Sequence, residues 1–273
     1  MSETGTLPPS SRAARAAASH WGGQILRLKS IPLVLSAMAA IAYQALRPLT
    51  WRRPVRDEFW RFMDVAGVQS LVAVAILGSI IGIALLAQGL YWIERVGDRG
   101  ALITIMGTFV VREVAPILVG LLVIGRGGLI MLSELDALYS QQDDRALDAM
   151  GLDPFLLFVV PRTVALSLSV FCLSIILIFL TFITGYLFAL ITGDAQAAPL
   201  DFIFRMYNVV GTAGYAILPV KALLMGLAIG AVCTLTAINR PLDHILARAI
   251  VPLGFVRCVL AVVAVDTIVS LVL

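Results

Sequence analysis

The sequence predicts an all-α integral membrane protein with five transmembrane helices, an N-terminal interfacial helix and a further polar helix between the second and third spans. Of its 273 residues, 60% are hydrophobic and only 14% are charged, and the mean hydropathy is +0.98. Such values are typical of membrane proteins and not of soluble domains. Apolar windows long enough to cross a hydrocarbon core of roughly 30 Å occur at about 65–90, 101–125, 163–192, 215–238 and 249–272.

The first 60 residues form a basic arm that precedes a membrane domain at 61–273. Within the arm, residues 31–46 are apolar but make a window shorter than a full span. We expect an interfacial helix over about 31–46 or an incomplete re-entrant segment, with basic side chains against anionic headgroups rather than nucleic acid. The arm holds eight arginines or lysines and three acids: Arg12, Arg15, Arg27, Lys29, Arg47, Arg52, Arg53, Arg56, Glu3, Asp57 and Glu58.

Charged residues inside three of the spans need a cavity or a partner, because a charge in lipid is costly. Arg112 and Glu113 are adjacent and so point about 100° apart on a helix. Pro116 follows them and frees backbone groups. Lys221 in the fourth span is a candidate partner for Glu113. We expect either a polar cavity that faces a substrate or a structural ion network; Asp266 in the fifth span belongs to this set or reaches the headgroups.

Two pairs of small residues indicate close helix packing. Gly78 and Gly82, and likewise Gly226 and Gly230, are spaced four residues apart within predicted spans. Such pairs let helices approach closely, either within one subunit or between subunits. The sequence leaves both possibilities open.

Motifs for nucleotide, metal or hydrolytic chemistry are missing from the sequence. It contains no phosphate-binding G-x-x-x-x-G-K-[ST] loop, no H-E-x-x-H and no G-x-S-x-G. Its three cysteines, Cys172, Cys233 and Cys258, lie in predicted spans without metal-ligand spacing, so we interpret them as small buried residues. The chain is therefore not predicted to be an enzyme or to hold a metal or cofactor, and any ATP must be handled by another chain.

The distribution of arginine and lysine predicts the orientation. With the N-terminus in the cytoplasm, that side receives the basic arm and most of the remaining loop arginines. The C-terminus then lies on the far side of the membrane. The polar segment between the second and third spans is placed in the cytoplasm.

This polar segment predicts a helix over about 133–150. Ser133 is a candidate N-cap, and Gly151 can end the helix in a left-handed conformation. Asp153 and Pro154 then read as the N-cap and first residue of the next helix. A transporter can use such a helix to receive force from a soluble motor; the alternative is a solvated loop helix with no partner.

Several motifs in one order resemble the MlaE/YrbE family of ABC transporter permeases. They are "FVVREVAPILVGLLVIGRGG" (109–128), an acidic helix with Glu134, "ALDAMGLDP" (146–154) and "VPR" (160–162). The family typically has R-E-L-G-P, G-R-A-G, A-E-[IL]-G, M-x-x-D-P and V-x-P-R in this order. The likeness is continuous from about residue 58 to 162 and looser to the end of the chain.

The resemblance implies a five-span permease domain at 61–273 in a bacterial inner membrane, working as a homodimer or heterodimer. Cytoplasmic ABC ATPase subunits, which would bind ATP and magnesium, are expected to dock on the helix between spans two and three. A periplasmic ring of MCE-domain protein is expected on the other side. The implied cargo is phospholipid or a related lipid moved between membranes.

The resemblance also assigns roles to individual residues. It places four residues on the substrate path: Arg112, Glu113, Lys221 and Asp266. The following are expected to take part in ATPase coupling: Glu134, Leu138, Arg145, Leu147, Met150, Asp153 and Pro154.

The segments predicted to be cytoplasmic diverge from the family more than the spans do. Gln141-Gln142-Asp143-Asp144 stands where the family has T-E-Q-[IL], and residues 239–254 replace its glycine-rich segment. This divergence predicts a dedicated ATPase or a heterodimer with a second permease. The alternative function is a non-transporting scaffold or regulatory subunit of such a complex.

Overall fold

A computed structural model describes residues 32–47, 51–96, 107–141, 147, 149–151, 153–192, 199–239 and 250–272, and in these ranges the regular structure is helical, without strands. Five helices are long and apolar enough to cross a membrane, which confirms the predicted five-span, all-α architecture. The basic arm before residue 32, Arg145 and the connection at 240–249 lie outside the described residues.

The longer helices of the described residues are, in chain order, α1 Pro32–Ala45, α2 Arg53–Ala66, α3 Leu71–Val96, α4 Gly107–Ser140, α5 Phe155–Thr192, α6 Pro199–Ile238 and α7 Ile250–Val272. Helix α1 is apolar but too short to span, and its interfacial position stays a prediction. Helices α2 and α3 are joined through Gly67 and a short 3₁₀ turn and together supply the first candidate span. The other candidate spans lie in α4 to α7.

Helix α4 differs from the prediction, since residues 133–140 of the predicted polar helix continue the second span in one element of 34 residues. The glycine-rich stretch Ile124–Gly128 widens into a π-helical turn instead of breaking the helix. Ser133 lies inside α4, and its hydroxyl donates to the carbonyl oxygen of Ile130 in the same helix. The predicted N-cap at Ser133 is therefore wrong, because this serine bonds backward to its own helix.

The chain reversal before α5 follows the predicted pattern. The Met150 N–H donates to the Leu147 carbonyl oxygen at 3.0 Å, and Gly151 has φ 77°. The Asp153 carboxylate accepts from the Phe155 N–H at 2.9 Å, next to Pro154 at the helix start. The left-handed glycine and the aspartate cap are both confirmed.

Helix α5 lies at the centre of the bundle and packs against α2, α3, α4 and α6. A methyl group on Gly82 would clash with Thr181 and Thr184 of α5. A methyl group on Gly226 of α6 would clash with the backbone of Ser167, also in α5. The glycine pairs are therefore used for packing within this chain.

The cysteine predictions are confirmed for two of the three residues. Cys233 on α6 and Cys258 on α7 are free and buried, and their sulfur atoms are 3.5 Å apart. Cys172 on α5 is free but only partly buried.

Candidate functional site

Four residues from three helices form a charge cluster inside the bundle, here called the lysine cluster: Glu113 on α4, Lys221 on α6, and Asp266 and Ser270 on α7. The Nζ atom of Lys221 lies 3.0 Å from Glu113 Oε2 and 2.7 Å from Asp266 Oδ1. It also donates to Ser270 Oγ at 2.8 Å. The side chain of Lys221 is only 1% exposed. The one buried ammonium group thus contacts two carboxylates, and a charge in this setting requires such partners.

The backbone of α4 is adapted to the lysine cluster. In a regular helix the Arg112 carbonyl oxygen would accept from the backbone N–H four residues later, but Pro116 has no N–H. The helix widens into a π-helical turn over Val110–Val114, and Lys221 Nζ donates to the Arg112 oxygen at 2.7 Å. Pro116 therefore frees an acceptor that the lysine satisfies, and this bond fixes α6 against the π-helical turn of α4.

Ser270 is a member of the cluster that sequence reasoning missed. Its hydroxyl accepts from Lys221 Nζ and donates to Glu113 Oε1 at 2.8 Å. Ser270 lies one helical turn after Asp266, so the two residues share a face of α7. The sequence offered one signal for this role, because Ser270 follows the intramembrane Asp266 by four residues. Serines in spans, however, commonly bond to their own backbone.

The predicted substrate-path residues thus separate into two kinds. Glu113, Lys221 and Asp266 come together, and Lys221 and Asp266 are buried. Glu113 keeps 30% of its side chain exposed. Arg112 is partly exposed, and its guanidinium group has no hydrogen bond or ion pair within the part of the chain that the structure describes. Arg112 and Glu113 are therefore the more accessible members of the set, whereas Lys221 and Asp266 are occupied in holding the helices together.

A second group of charges, here called the arginine cluster, consists of Glu58 and Arg61 on α2, Glu134 on α4 and Arg162 on α5. Arg162 Nε lies 2.6 Å from Glu58 Oε1, and Arg162 Nη2 lies 2.8 Å from Glu134 Oε2. Arg61 Nη2 lies 2.8 Å from Glu58 Oε1 and 3.1 Å from Glu134 Oε2. The cluster is formally neutral and ties three helices together.

The two clusters lie at different levels along α4. Glu134 follows Glu113 by 21 residues, which corresponds to about 30 Å at a rise of roughly 1.5 Å per residue. This separation is close to the thickness of a bilayer's hydrocarbon core. The lysine cluster therefore lies within the spans, and the arginine cluster lies near the end of the bundle where α4 ends and α5 begins.

The predicted coupling residues have different environments. Glu134 is engaged in the arginine cluster, and Leu138 and Leu147 are partly buried. Met150 and Asp153 are exposed near the reversal, whereas Pro154 is buried. Of this set, Met150 and Asp153 offer the more accessible surface, and Glu134 is partly exposed and bound to two arginines.

Five membrane-crossing helices with a compensated charge cluster among three of them define a multi-pass α-helical membrane protein with an ionic core. Residues 59–272 match the family model described as Permease MlaE. The chain belongs to this family, which confirms the resemblance predicted from its motifs.

Individual relatives match part of the chain. The intermembrane phospholipid transport system permease protein MlaE of Haemophilus influenzae is 30% identical over 116 residues, which cover 42% of this chain and 44% of that protein. A probable ABC transporter permease protein of Rickettsia felis is 29% identical over 121 residues, or 44% of this chain and 47% of that protein. One from Rickettsia conorii is 27% identical over 132 residues, covering 48% and 51%. The matches span about half the length of these curated relatives.

Proposed function

We propose that the chain is the membrane-spanning permease subunit of an ABC transporter that moves phospholipid or a related lipid between membranes. A separate ATPase, which binds ATP and magnesium, drives the movement, and an MCE-domain protein receives or delivers the lipid. The family membership and the names of the relatives support this proposal. The protein would lie in a bacterial inner membrane as a dimer, with its N-terminus in the cytoplasm.

The observation that carries the proposal is the partly exposed pair Arg112 and Glu113, on a turn of α4 that Lys221 holds in place. An arginine within a span is costly unless it meets an anion or water, and Arg112 meets no carboxylate among the described residues. Guanidinium groups bind phosphate through paired, charge-assisted hydrogen bonds. A phospholipid headgroup that reaches this turn of α4 would supply such a phosphate, and the exposed part of Glu113 would face any amine the headgroup carries.

The other charged residues of the lysine cluster have a positioning role in this proposal. Lys221 and Asp266 are too buried to contact a headgroup without rearrangement. They hold α4, α6 and α7 so that Arg112 is presented from a fixed turn of backbone. Arg112 would therefore bind the lipid, and Lys221, Asp266 and Ser270 would set its position.

The proposal is tested by purifying the tagged chain in mild detergent with its native partners and reconstituting the complex. The expected result is a co-purified ATPase and MCE-domain protein, with ATP-dependent transfer of a fluorescent phospholipid that falls in Arg112→Gln. A complex that contains both partners but moves no lipid would favour a non-transporting scaffold or regulatory subunit. A chain that binds no ATPase would refute the transporter assignment.

A further inference from the structure

Arg162 is the buried centre of the arginine cluster. Its side chain is 5% exposed, and its guanidinium carbon lies 5.1 Å from the centre of the Phe158 ring and 5.6 Å from that of Phe62. Different nitrogens of the same group contact Glu58 and Glu134. Because a guanidinium group is planar and forked, it can hold two carboxylates in a fixed mutual geometry. Arg162 thereby connects α2, α4 and α5 through one side chain.

The part of α4 that carries Glu134 follows a point of local weakness. The π-helical turn Ile124–Gly128 contains Gly125, Gly127 and Gly128. A methyl group on Gly125 would meet no atom within 4 Å, whereas one on Gly127 would clash with Ala66 of α2 and Leu166 of α5. Glycine and π-helical turns both lower the resistance of a helix to bending. The segment Leu129–Ser140 therefore depends on its contacts with α2 and α5, including those of Glu134, to hold its position relative to the rest of α4.

We propose that Arg162 is a positioning residue that couples the C-terminal segment of α4 to α2 and α5, so that force applied at the α4–α5 connection moves these helices together. The proposal rests on the proposed function, because it assumes an ATPase that acts at this end of the bundle. It differs from a docking role for Glu134: this carboxylate transmits movement through the arginine cluster and does not itself contact the ATPase.

Arg61 provides an internal comparison. It contacts the same two carboxylates as Arg162, but its side chain is 51% exposed. Ion pairs that water and salt can reach contribute little, whereas removing one member of a buried pair leaves an uncompensated charge. The coupling should therefore depend on Arg162 far more than on Arg61.

The experiment compares Glu134→Gln, Arg162→Lys and the double variant with wild type, in the full complex. Arg162→Lys keeps the positive charge but loses the fork, and Glu134→Gln keeps the size of a side chain that is 35% exposed. Asp64→Asn is the matched control, because Asp64 is an exposed acid on α2 whose hydrogen bond goes to Gln69, outside the cluster. Three quantities are measured: ATPase co-purification, lipid moved per ATP hydrolysed, and hydrogen–deuterium exchange of residues 53–66 and 129–140.

The expected result is that both single variants retain the ATPase and hydrolyse ATP, but move roughly tenfold less lipid per ATP, the size of loss typical of networked charges. Amide exchange at 129–140 and 53–66 should rise together in these variants and stay at the wild-type level in Asp64→Asn. The double variant should be no worse than Arg162→Lys, because both changes interrupt one connection. If Arg162→Lys does not fold, Glu134→Gln decides, since it leaves Arg162 paired with Glu58.

Unchanged exchange and an unchanged lipid-to-ATP ratio in Glu134→Gln would overturn the proposal even in a working transporter. Losses that add up in the double variant would overturn it as well. Failure of the wild-type chain to bind an ATPase would instead refute the proposed function, and the exchange data would still show whether α2 and the C-terminal segment of α4 respond together.

Discussion

The Nζ atom of Lys221 lies 2.7 Å from the carbonyl oxygen of Arg112, the acceptor that Pro116 leaves without its helical N–H. Pro116 thus leaves a carbonyl oxygen of α4 without its usual donor, and Lys221 of α6 supplies the donor. The same ammonium group compensates Glu113 and Asp266. Lys221 is therefore a structural centre of the spans as well as a charged residue near a proposed lipid site.

Replacing Lys221 with Met is expected to lower the free energy of unfolding by about 3–5 kcal/mol, because two carboxylates lose their buried counter-charge. In a Pro116→Ala background the loss should be about 1 kcal/mol smaller, because the new alanine N–H can bond to the α4 carbonyl. Thermal unfolding of the four proteins in one detergent gives this coupling. Equal losses in both backgrounds would contradict the link between Pro116 and Lys221.

Ser270→Ala should destabilise the protein by about 1 kcal/mol, since Glu113 and Lys221 lose a shared hydrogen-bond partner that lies within the bundle. Ser270→Thr keeps the hydroxyl group and should restore most of the lost stability. The unfolding midpoint of both variants against wild type tests this prediction. A Ser270→Ala protein as stable as wild type would mean that the hydroxyl bridge contributes nothing.

Arg112→Gln should leave the unfolding midpoint near that of wild type, because the guanidinium group has no partner within the described residues. Lipid transfer by the reconstituted complex should fall roughly tenfold or more, as expected when a charged hydrogen bond to phosphate is lost. Arg257→Gln is the control, since Arg257 is an exposed arginine of α7. A similar loss in both variants would indicate a general effect of positive charge.

Gly82→Ala should destabilise the bundle by about 1–3 kcal/mol, because the added methyl group overlaps Thr181 and Thr184 of α5. Gly125→Ala is the matched control: its methyl group meets open space, and alanine favours helix over glycine. Unfolding measured at two protein concentrations separates packing within the chain from dimerisation. A concentration-dependent effect of Gly82→Ala would point to a subunit contact instead.

The spans could be predicted from the sequence because a bilayer core excludes charge, so each span is a long apolar window. The pairing of Glu113 with Lys221 follows from the same exclusion, because the few charges inside the spans need partners and have few to choose from. The arginine cluster could not be predicted in this way. Glu58 belongs to a stretch that is basic overall, and its contact with Arg162 joins residues 104 positions apart.

Helix boundaries were less predictable than helix existence. Serine is a common N-cap residue, but Ser133 lies in a helix interior. Only the backbone around it distinguishes an N-cap serine from an interior one. The second span was predicted to end at about residue 125, but a π-helical turn over Ile124–Gly128 carries the helix on to Ser140. Gly151 was predictable because a left-handed residue between two helices strongly favours glycine.

The use of both glycine pairs inside one chain affects how another subunit can approach. The outward faces of α3 and α7 carry branched side chains such as Ile80, Leu260 and Ile268, which are exposed. Helices that meet through such side chains stay about 8–10 Å apart. Lipid tails are as apolar as these residues, so in the proposed dimer an acyl chain between two copies would meet the same kind of surface as a second subunit does.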